Sequence, residues 1–374
     1  MLTRLSNFSP SLRAGHHKRR PAPSQDSPKV VVLGGGYAGV EFVESLKAPV
    51  HLTLVDRKPD QTYKTKLWKV TVGGKDSSEA QQSLAKVVGK AGGQLQLGQV
   101  TDIDLATRQV VLDHGQRIPY DYLVVALGSR PTLLGHPEWA EHVLTLDQPE
   151  DTQRIRDTVR SQAMAALAEA DPARRRQQLE FVVVGGGATG IELAGIVADL
   201  VEQVDPSLSK DLNLTLVHSR ERLCQGMPDE VSRRATAALL QKGVTLRLNE
   251  RLADVAKGQV KLASGEVLPA SAIMLAVGTE SPEVLQCLGP TTRGGRVEVT
   301  DHLTLPDHPE VFVVGDAALV RSGGQAVPAD KHSAKEAGET AADNLARSLD
   351  NQPMRAFSFH GKDHYKHIGP VNLR

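Results

Sequence analysis

The sequence predicts an α/β protein made of two similar units, the second inserted into the first, and three observations predict this arrangement. A β-branched run followed by a glycine turn occurs twice in the 374 residues, with the copies 151 residues apart. Each copy continues into an amphipathic stretch and a second apolar run, the pattern of a strand, a helix and a strand. A further apolar run, Val311–Val314, follows the second copy, so we expect returning chain to complete the first unit.

The repeated segments are Val31–Glu41 and Val182–Glu192, which are identical at seven of eleven positions. In their Gly-x-Gly-x-x-Gly motif the first glycine allows a tight turn, the second lets the backbone approach a pyrophosphate, and the third lets the helix pack on the strand. We therefore predict two Rossmann-like dinucleotide-binding domains. The predicted binding residues are Gly34, Gly36, Tyr37, Ala38 and Gly39 in the first turn and Gly185, Gly187, Thr189 and Gly190 in the second.

The nucleotide of the first unit is predicted to be FAD. Asp56 directly follows the second strand, 22 residues after the first glycine of the turn, where an acid accepts hydrogen bonds from the adenosine ribose. The neighbouring Arg57 is assigned to the same site. The run Val311–Val314 delivers Gly315 and Asp316 to the sheet edge where ligands of doubly wound folds bind. Asp316 is then placed to bind the ribityl chain of a flavin.

The second unit differs at the position that corresponds to Asp56, which His218 occupies. An acid there repels the 2′-phosphate of NADPH. Its absence, with Arg220 and Arg222 shortly after, favours acceptance of that phosphate. We therefore predict that this unit binds NAD(P)H, with His218 and Arg220 in contact with it. The alternative is that His218 donates to the ribose of NADH while both arginines face solvent.

These assignments divide the chain into an FAD-binding domain, residues 29–150 and 272–350, and an inserted NAD(P)H-binding domain, residues 151–271. Residues 1–28 are predicted to be a disordered basic arm, and residues 351–374 a short C-terminal tail. Basic and acidic residues balance at 44 each, so we expect no nucleic-acid partner. No apolar run has the roughly 18–20 residues of a spanning helix, so we expect peripheral membrane contact at most.

The chain resembles flavoproteins with two dinucleotide-binding domains, in particular type II NADH dehydrogenases (NADH:quinone oxidoreductases) and the related ferroptosis-suppressor and apoptosis-inducing-factor-like oxidoreductases. The segments that carry this resemblance are the two glycine turns, Asp56, Gly98–Asp104, Tyr120–Ser129, Ala276–Gly278 and Val311–Asp316. The resemblance implies that Val100 holds adenine by its backbone and that Lys66 lies in the stretch beside the flavin. The other cofactor positions that it implies are Ala126 and Gly128 for FAD and Gly278 for NAD(P)H.

A flavin and a nicotinamide nucleotide together imply hydride transfer from NAD(P)H to FAD. The resemblance places Glu192 near both rings; the alternative is an acid favoured by the first turn of a helix. Cys224 and Cys287 stand 63 residues apart, and no cysteine precedes Cys224, which excludes the paired-cysteine motif of disulfide reductases. The electrons are therefore expected to pass directly to a quinone or another small acceptor. No metal site is expected.

The residues on the acceptor side come from the resemblance. The relatives carry a helix with two glutamines at the quinone entrance, and alignment on Gly338 puts His332 and Glu336 at those positions. We predict that His332 donates a proton or a hydrogen bond to the quinone. The N-terminus of this helix is expected to face the flavin, where its N–H groups stabilise negative charge.

Two other functions fit the sequence. Lys64, Lys66 and Lys69 suit docking of an acidic, ferredoxin-like electron carrier. The basic arm suits a redox-sensing protein of slow turnover that binds FAD and NAD(P)H and recruits a partner. We expect a cytoplasmic protein, with attachment to the inner face of a membrane as the alternative, and a homodimer is compatible with the sequence.

Overall fold

A computed structural model describes residues 21–74, 76–292, 294–361 and 367–373. Most of the predicted disordered arm, residues 1–20, lies outside the described residues. Residues 21–28 lie against the first unit, where the Nε2 atom of His51 is 2.8 Å from the carbonyl oxygen of Ser24. The N–H of His51 also donates to the carbonyl of Pro28 at 2.9 Å.

The first unit is built on a sheet of six strands within the described chain. Their spatial order is Thr304–Leu305, His308–Val313, Tyr122–Val125, Lys29–Leu33, His51–Asp56 and Gln94–Leu97. Neighbouring strands pair in parallel, except for the first two named, which are antiparallel. The apolar side chains of the central strands are at most 1% exposed, as expected for a parallel sheet that is covered on both faces.

The second unit has a parallel sheet of five strands within the described chain. Their spatial order is Val143–Leu144, Ala272–Leu275, Glu180–Val184, Asn213–His218 and Thr245–Leu248. The predicted α/β class with two parallel sheets is thereby confirmed. The strand His308–Val313 joins the first sheet beside Tyr122–Val125, so chain that follows the second unit does complete the first.

Helices cover both sheets and smaller β-sheets flank them. The helices are α1 (Tyr37–Ser45), α2 (Leu67–Gly73), α3 (Leu84–Lys90), α4 (Pro149–Ala168), α5 (Pro172–Gln178), α6 (Ala188–Val204), α7 (Asp229–Gln241) and α8 (Lys331–Leu349). The three-stranded sheets are Val100–Asp104 with Gln109–Leu112 and Arg117–Pro119, and Leu252–Ala256 with Gln259–Leu262 and Val267–Pro269. The strand pairs are Asp60–Thr62 with Gln81–Ser83, Arg130–Pro131 with Thr279–Glu280, Val297–Glu298 with Ala318–Leu319, Arg321–Ser322 with Gln325–Ala326, and His367–Ile368 with Val371–Asn372. Among the described residues, none of the helices combines the length and apolar character that a membrane crossing requires.

Two predicted domain boundaries need correction. Residues 272–350 are predicted to belong to the first unit, but Ala272–Leu275 pairs with Glu180–Val184 in the second sheet. Val143–Leu144 is the edge strand of the same sheet, although residues 29–150 are predicted to form part of the first unit. The pairing register of such short apolar strands is set by tertiary packing, because their side-chain pattern does not say which sheet they join.

The chain crosses between the units at two segments that pair with each other. Arg130–Pro131 leads into the second unit and Thr279–Glu280 leads out of it, and the two form an antiparallel ribbon. The side chain of Arg130 also donates from Nε to Glu280 Oε1 at 3.1 Å. These two crossings therefore lie side by side.

The C-terminal segment contacts both units. Phe357 is buried in the core of the first unit, and its N–H donates to the carbonyl of Asp301 at 2.7 Å. Further on, His367–Ile368 and Val371–Asn372 pair as an antiparallel hairpin, which we call the C-terminal hairpin. Its apolar side chains are buried in the core of the second unit. The predicted tail is thus a packed element where the structure describes it.

A methyl group at Gly190 tests the contact on which the second glycine turn depends. A Cβ atom there would overlap the carbonyl oxygen of Gly185, which the helix can avoid only by moving off the strand. We expect Gly190→Ala to lower the free energy of unfolding by about 1–3 kcal/mol, measured by urea denaturation. The control is Gly89→Ala, because a Cβ atom at Gly89 has no neighbour within 4 Å and alanine favours a helix over glycine by up to about 1 kcal/mol. Equal stability of Gly190→Ala and the wild type would contradict the close packing.

Candidate active site

A cleft of about 890 Å³ lies between the two units. Residues 34–38 of the first glycine turn and residues 185–189 of the second both line it. Each turn follows the carboxyl end of a parallel strand and leads into the N-terminus of a helix, α1 or α6. Two helix N-termini, with their free N–H groups, are therefore presented to one cleft, an arrangement suited to anionic ligands.

The first turn requires glycine because protein atoms crowd two of its three positions. Gly34 has a φ of 97°, and a Cβ atom on it would overlap the carbonyl oxygen of Ala126. A Cβ atom on Gly39 would overlap the carbonyl oxygen of Gly34, whereas one on Gly36 would have no neighbour within 4 Å. The turn is closed on the protein side and open toward the cleft, the form of a phosphate cradle. The second turn repeats these environments at Gly185, Gly190 and Gly187.

Asp56 is held at the cleft by two backbone hydrogen bonds. The N–H of Gly35 donates to Oδ2 at 2.6 Å, and the N–H of Lys58 donates to Oδ1 at 2.8 Å. Both Asp56 and the next residue, Arg57, line the cleft. The carboxylate is therefore oriented by the turn itself and has lone pairs left for hydroxyl donors.

His218 takes the equivalent place in the second unit. The N–H of Gly186 donates to its Nδ1 atom at 3.0 Å, so that the ring proton lies on Nε2. Burial, and then the charge of Arg220, lowers the pKa of His218. The ring is therefore neutral at pH 7, and it lines the cleft as a hydrogen-bond donor where Asp56 is an acceptor.

A chain of polar contacts lines the first unit's side of the cleft. Ser129 Oγ donates to Asp316 Oδ2 at 2.8 Å, and Lys64 Nζ donates to the carbonyl of Ser129 at 3.2 Å. Lys64 also forms an ion pair with Asp147. All four residues line the cleft, so the position of Asp316 is fixed by neighbours that reach back to Asp147.

Helix α8 presents its first turn to the cleft. Lys331 and Ala334 line the cleft, and the side chain of the N-cap residue Asp330 accepts hydrogen bonds from the N–H groups of His332 and Ser333, at 2.8 and 2.9 Å. His332 and Glu336, the two predicted acceptor-side residues, do not line the cleft. Instead, Glu336 Oε2 accepts a hydrogen bond from the N–H of His360 at 3.0 Å.

Glu192 lies on the cleft wall near the N-terminus of α6. Burial raises the pKa of its carboxyl to about 8. A carboxyl with this pKa is mostly protonated at pH 7 and acts as a hydrogen-bond donor. The C-terminal hairpin covers its stem, since a Cβ atom on Gly369 would overlap Cγ of Glu192.

Most of the predicted cofactor residues line the cleft. They are Gly34, Gly36, Tyr37, Ala38, Asp56, Arg57, Ala126, Gly128, Gly315 and Asp316 from the FAD prediction, and Gly185, Gly187, Thr189, His218 and Gly278 from the NAD(P)H prediction. Gly39 and Gly190 lie behind the turns, where they allow helix and strand to touch.

Three other predicted cofactor residues lie away from the cleft lining. Val100 is buried in a separate three-stranded sheet. The Nζ atom of Lys66 lies 4.3 Å from the ring centroid of Tyr63, and Arg220 is exposed. The cleft lining therefore does not account for the predicted contacts of Lys66 and Arg220 with a cofactor, and these contacts stay predictions.

Several features of the cleft escaped the sequence analysis. Lys64, Ser129 and Asp147 are brought together only by the tertiary fold, and their ion pair has no signal in the sequence. Glu250 and Arg251 follow the strand Thr245–Leu248 and line the cleft beside His218. Their place after the third strand of a dinucleotide unit was the one available signal.

Neither cysteine lies on the cleft lining. Cys224 is buried, and burial raises the pKa of its thiol to about 11. Cys287 is exposed elsewhere on the chain, and its Sγ atom donates to Asp102 Oδ1 at 3.2 Å. A thiol that stays protonated is a poor nucleophile and a poor redox partner, so neither cysteine serves the cleft.

Comparison with known proteins shows which family the chain is similar to. A family model described as pyridine nucleotide-disulphide oxidoreductase matches residues 28–338. The type II NADH:quinone oxidoreductase Ndh of Mycobacterium tuberculosis is 31% identical over 311 residues, which are 78% of this chain and 67% of that protein. The type II NADH:quinone oxidoreductase of Haemophilus influenzae is 25% identical and covers 89% of this chain and 83% of its own length.

Solved structures share the fold. NDH2 from Plasmodium falciparum in complex with NADH superposes with a TM-score of 0.75 and 14% identity, over 85% of this chain and 83% of that one. A ferredoxin reductase from Rhodopseudomonas palustris superposes with a TM-score of 0.70 and 21% identity, over 90% and 79% of the two chains. From the family match and the 31% identity, we conclude that the chain belongs to the pyridine nucleotide-disulphide oxidoreductase family and, within it, to the type II NADH:quinone oxidoreductases.

Proposed function

We propose that this chain is an FAD-dependent oxidoreductase that takes a hydride from NADH or NADPH and passes two electrons to a quinone without a redox disulfide. The observation that carries the proposal is that both glycine turns open onto one cleft that neither cysteine lines. Flavin and nicotinamide supply the hydride chemistry once both are bound. The task of the protein is to hold the two groups together and to exclude water.

The first unit fits FAD residue by residue. Asp56 would accept from the hydroxyls of the adenosine ribose, and the open side of Gly36 would face the pyrophosphate. Asp316, oriented by Ser129 at 2.8 Å, would bind the ribityl chain. The first turn of α8 would direct the positive end of the helix dipole toward negative charge on the ring system.

The second unit fits both nicotinamide nucleotides. His218 is neutral and donates from Nε2, so it can bind a ribose hydroxyl and does not repel a 2′-phosphate. Arg251 is exposed on the cleft lining and supplies a positive charge for that phosphate. The acid beside it, Glu250, is paired with Arg247 at 3.1 Å, which offsets its repulsion.

The lysines near the cleft favour a small acceptor over an acidic protein carrier. Lys64 is paired with Asp147, and Lys66 lies over the ring of Tyr63. The Nζ atom of Lys69 is 5.5 Å from the ring centroid of Trp68. Of the three lysines proposed for docking, Lys64 is neutralised by its acid, which reduces the docking field for a ferredoxin-like partner, whereas Lys66 and Lys69 are exposed and keep their charges.

The proposed quinone site includes two residues that do not line the cleft. His332 and Glu336 stand four residues apart on α8, so they share one face of that helix, and we propose that this face borders the quinone. Quinones that carry respiratory electrons reside in lipid, so we propose peripheral contact with the inner face of a membrane. A homodimer also stays a prediction.

The function itself is tested by anaerobic mixing. Adding NADH or NADPH to the FAD-loaded protein should bleach the visible absorbance of the flavin, and a menaquinone analogue should restore it. The control is Gly187→Ala, which adds a methyl group on the open side of the second turn, where the nucleotide phosphate must approach; it should retain FAD and lose bleaching at low nucleotide concentration. Flavin that stays oxidised with both nucleotides would falsify the proposal.

Nucleotide choice is tested at His218. We expect His218→Asp to raise the ratio of kcat/KM for NADH over NADPH by about tenfold or more, because an acid repels the 2′-phosphate. Arg251→Ala should lower kcat/KM for NADPH alone. Arg220→Ala is the matched control, since Arg220 is exposed outside the cleft lining, and it should leave the ratio unchanged. An equal loss for both nucleotides in His218→Asp would argue against this role.

The acceptor class is tested by salt. Turnover with a water-soluble quinone should change less than about twofold when ionic strength rises from about 0.05 to 0.5 M, because a neutral acceptor is not steered by charge. The same result is expected for Lys66→Glu with Lys69→Glu. Salt-sensitive reduction of a ferredoxin-like carrier, with no quinone reduction, would establish the carrier alternative instead. Turnover below about one per second with every acceptor would favour the redox-sensing alternative.

A further inference from the structure

The turn of the C-terminal hairpin lies directly on helix α6. Gly369 has a φ of 58°, and a Cβ atom on it would overlap Cγ of Glu192 and lie 2.9 Å from its Cβ. One helical turn further along, a Cβ atom on Gly195 would lie 2.8 Å from side-chain atoms of both Pro370 and Val371. Two glycines, one on each partner, thus allow this contact, and neither tolerates a side chain.

The hairpin is anchored in the second unit, and the C-terminal segment also contacts the first unit at His360. Val371 is fully buried in the core of the second unit. Beyond it, Arg234 Nη1 on helix α7 donates to the carbonyl of Leu373 at 2.7 Å. Before it, the N–H of His360 donates to Glu336 on α8. The segment therefore runs from the acceptor-side helix of the first unit to the glycine-turn helix of the second.

We propose that the C-terminal hairpin is a positioning element for Glu192: its turn covers the stem of this residue and holds the carboxyl on the cleft wall. The proposal rests on the proposed function, because it assigns to Glu192 the role of a hydrogen-bond donor toward the bound rings or acceptor. Gly369, Pro370 and Val371 are then positioning residues that act through Glu192.

Burial, and not a neighbouring charge, raises the pKa of Glu192. Helices α2, α4 and α7 and the hairpin pack against α6. Within the described residues, the hairpin carries His367, which is exposed, and α2 carries Lys69, which lies over Trp68. The charged residues of the other two helices are Glu150, Asp151, Arg154, Arg156, Asp157 and Arg160 on α4 and Asp229, Glu230, Arg233 and Arg234 on α7. No charged group on these elements contributes to the raised pKa of Glu192, whose one cause is burial. Uncovering the residue should therefore lower its pKa.

The pKa predicts how stability depends on pH. The folded pKa of Glu192, about 8, lies above its ordinary value of 4.5. Between these two pH values the folded protein holds a proton that the unfolded chain has released, so stability falls as pH rises and the loss levels off above the folded pKa. Glu192→Gln is always neutral and lacks this loss. The difference between the Tm of the wild type and of Glu192→Gln therefore isolates Glu192.

The experiment measures this difference on the FAD-loaded protein between about pH 5 and pH 9. In the wild type it should grow with pH and level off near pH 8. With Gly369→Ala in both proteins, the levelling-off should move down by about one pH unit or more, because the added methyl group displaces the hairpin and admits water. Gly361→Ala is the matched control: Gly361 has the same φ of 58° on the same segment, and its nearest neighbour is Phe359, not Glu192.

The outcomes separate this proposal from the proposed function. An unmoved levelling-off in a folded Gly369→Ala protein, or an equal shift in Gly361→Ala, would overturn the role of the hairpin even if NADH oxidation is intact. If the wild type does not oxidise NADH, the proposed function is overturned. The stability difference would still test the role of the hairpin. If Gly369→Ala fails to fold, Arg234→Ala releases the far end of the hairpin and should move the levelling-off in the same direction.

Discussion

The contact between the third glycine of each turn and the carbonyl of the first is the constraint on which the rest of the structure depends. Because Gly39 and Gly190 have no side chain, α1 and α6 sit directly on their strands and direct their N-termini at one cleft. The same geometry leaves one N–H, of Gly35 or of Gly186, pointing at the end of the next strand. A side chain must accept that N–H, since a buried donor without a partner is costly.

The need for a side chain that accepts this N–H explains how an acid and a histidine can occupy equivalent places. Asp56 meets it with Oδ2 at 2.6 Å, and His218 meets it with Nδ1 at 3.0 Å. The imidazole can accept only while Nδ1 carries no proton, so the fold itself selects the neutral ring, and burial lowers the pKa of His218 in the same direction. The sequence analysis assigned His218 to the nucleotide and expected the positive charge for a phosphate from Arg220 and Arg222. The structure makes it a neutral donor, and the useful difference from Asp56 is the missing negative charge.

The features that could be predicted from the sequence are those that short local motifs determine. The glycine turns, the strands before them, Asp56 and the sheet-edge position of Asp316 all depend on short motifs with a fixed geometric meaning. The edge strands Val143–Leu144 and Ala272–Leu275 were assigned to the wrong unit, because a few apolar residues do not specify a sheet. The ion pair of Lys64 with Asp147 joins residues far apart in the chain, and no periodicity marks it. The packing of the hairpin on α6 depends on two glycines, Gly195 opposite Pro370 and Val371 and Gly369 opposite Glu192, and their role becomes visible only in the folded structure.

The repeat also shows how one motif position takes two chemical states. Glu41 and Glu192 end the two copies of the same eleven-residue segment, and later chain covers both helices. On α1 the cover is α8, which brings Lys335 into an ion pair with Glu41, so a charged carboxylate is compensated there. On α6 the cover beside Glu192 is the turn of the C-terminal hairpin, whose Gly369 and Pro370 carry no charge, and burial raises the pKa of Glu192 to about 8. The two glutamates therefore differ because of the segments that pack on them, and the chemistry of the second copy is decided by residues more than 170 positions further along the chain.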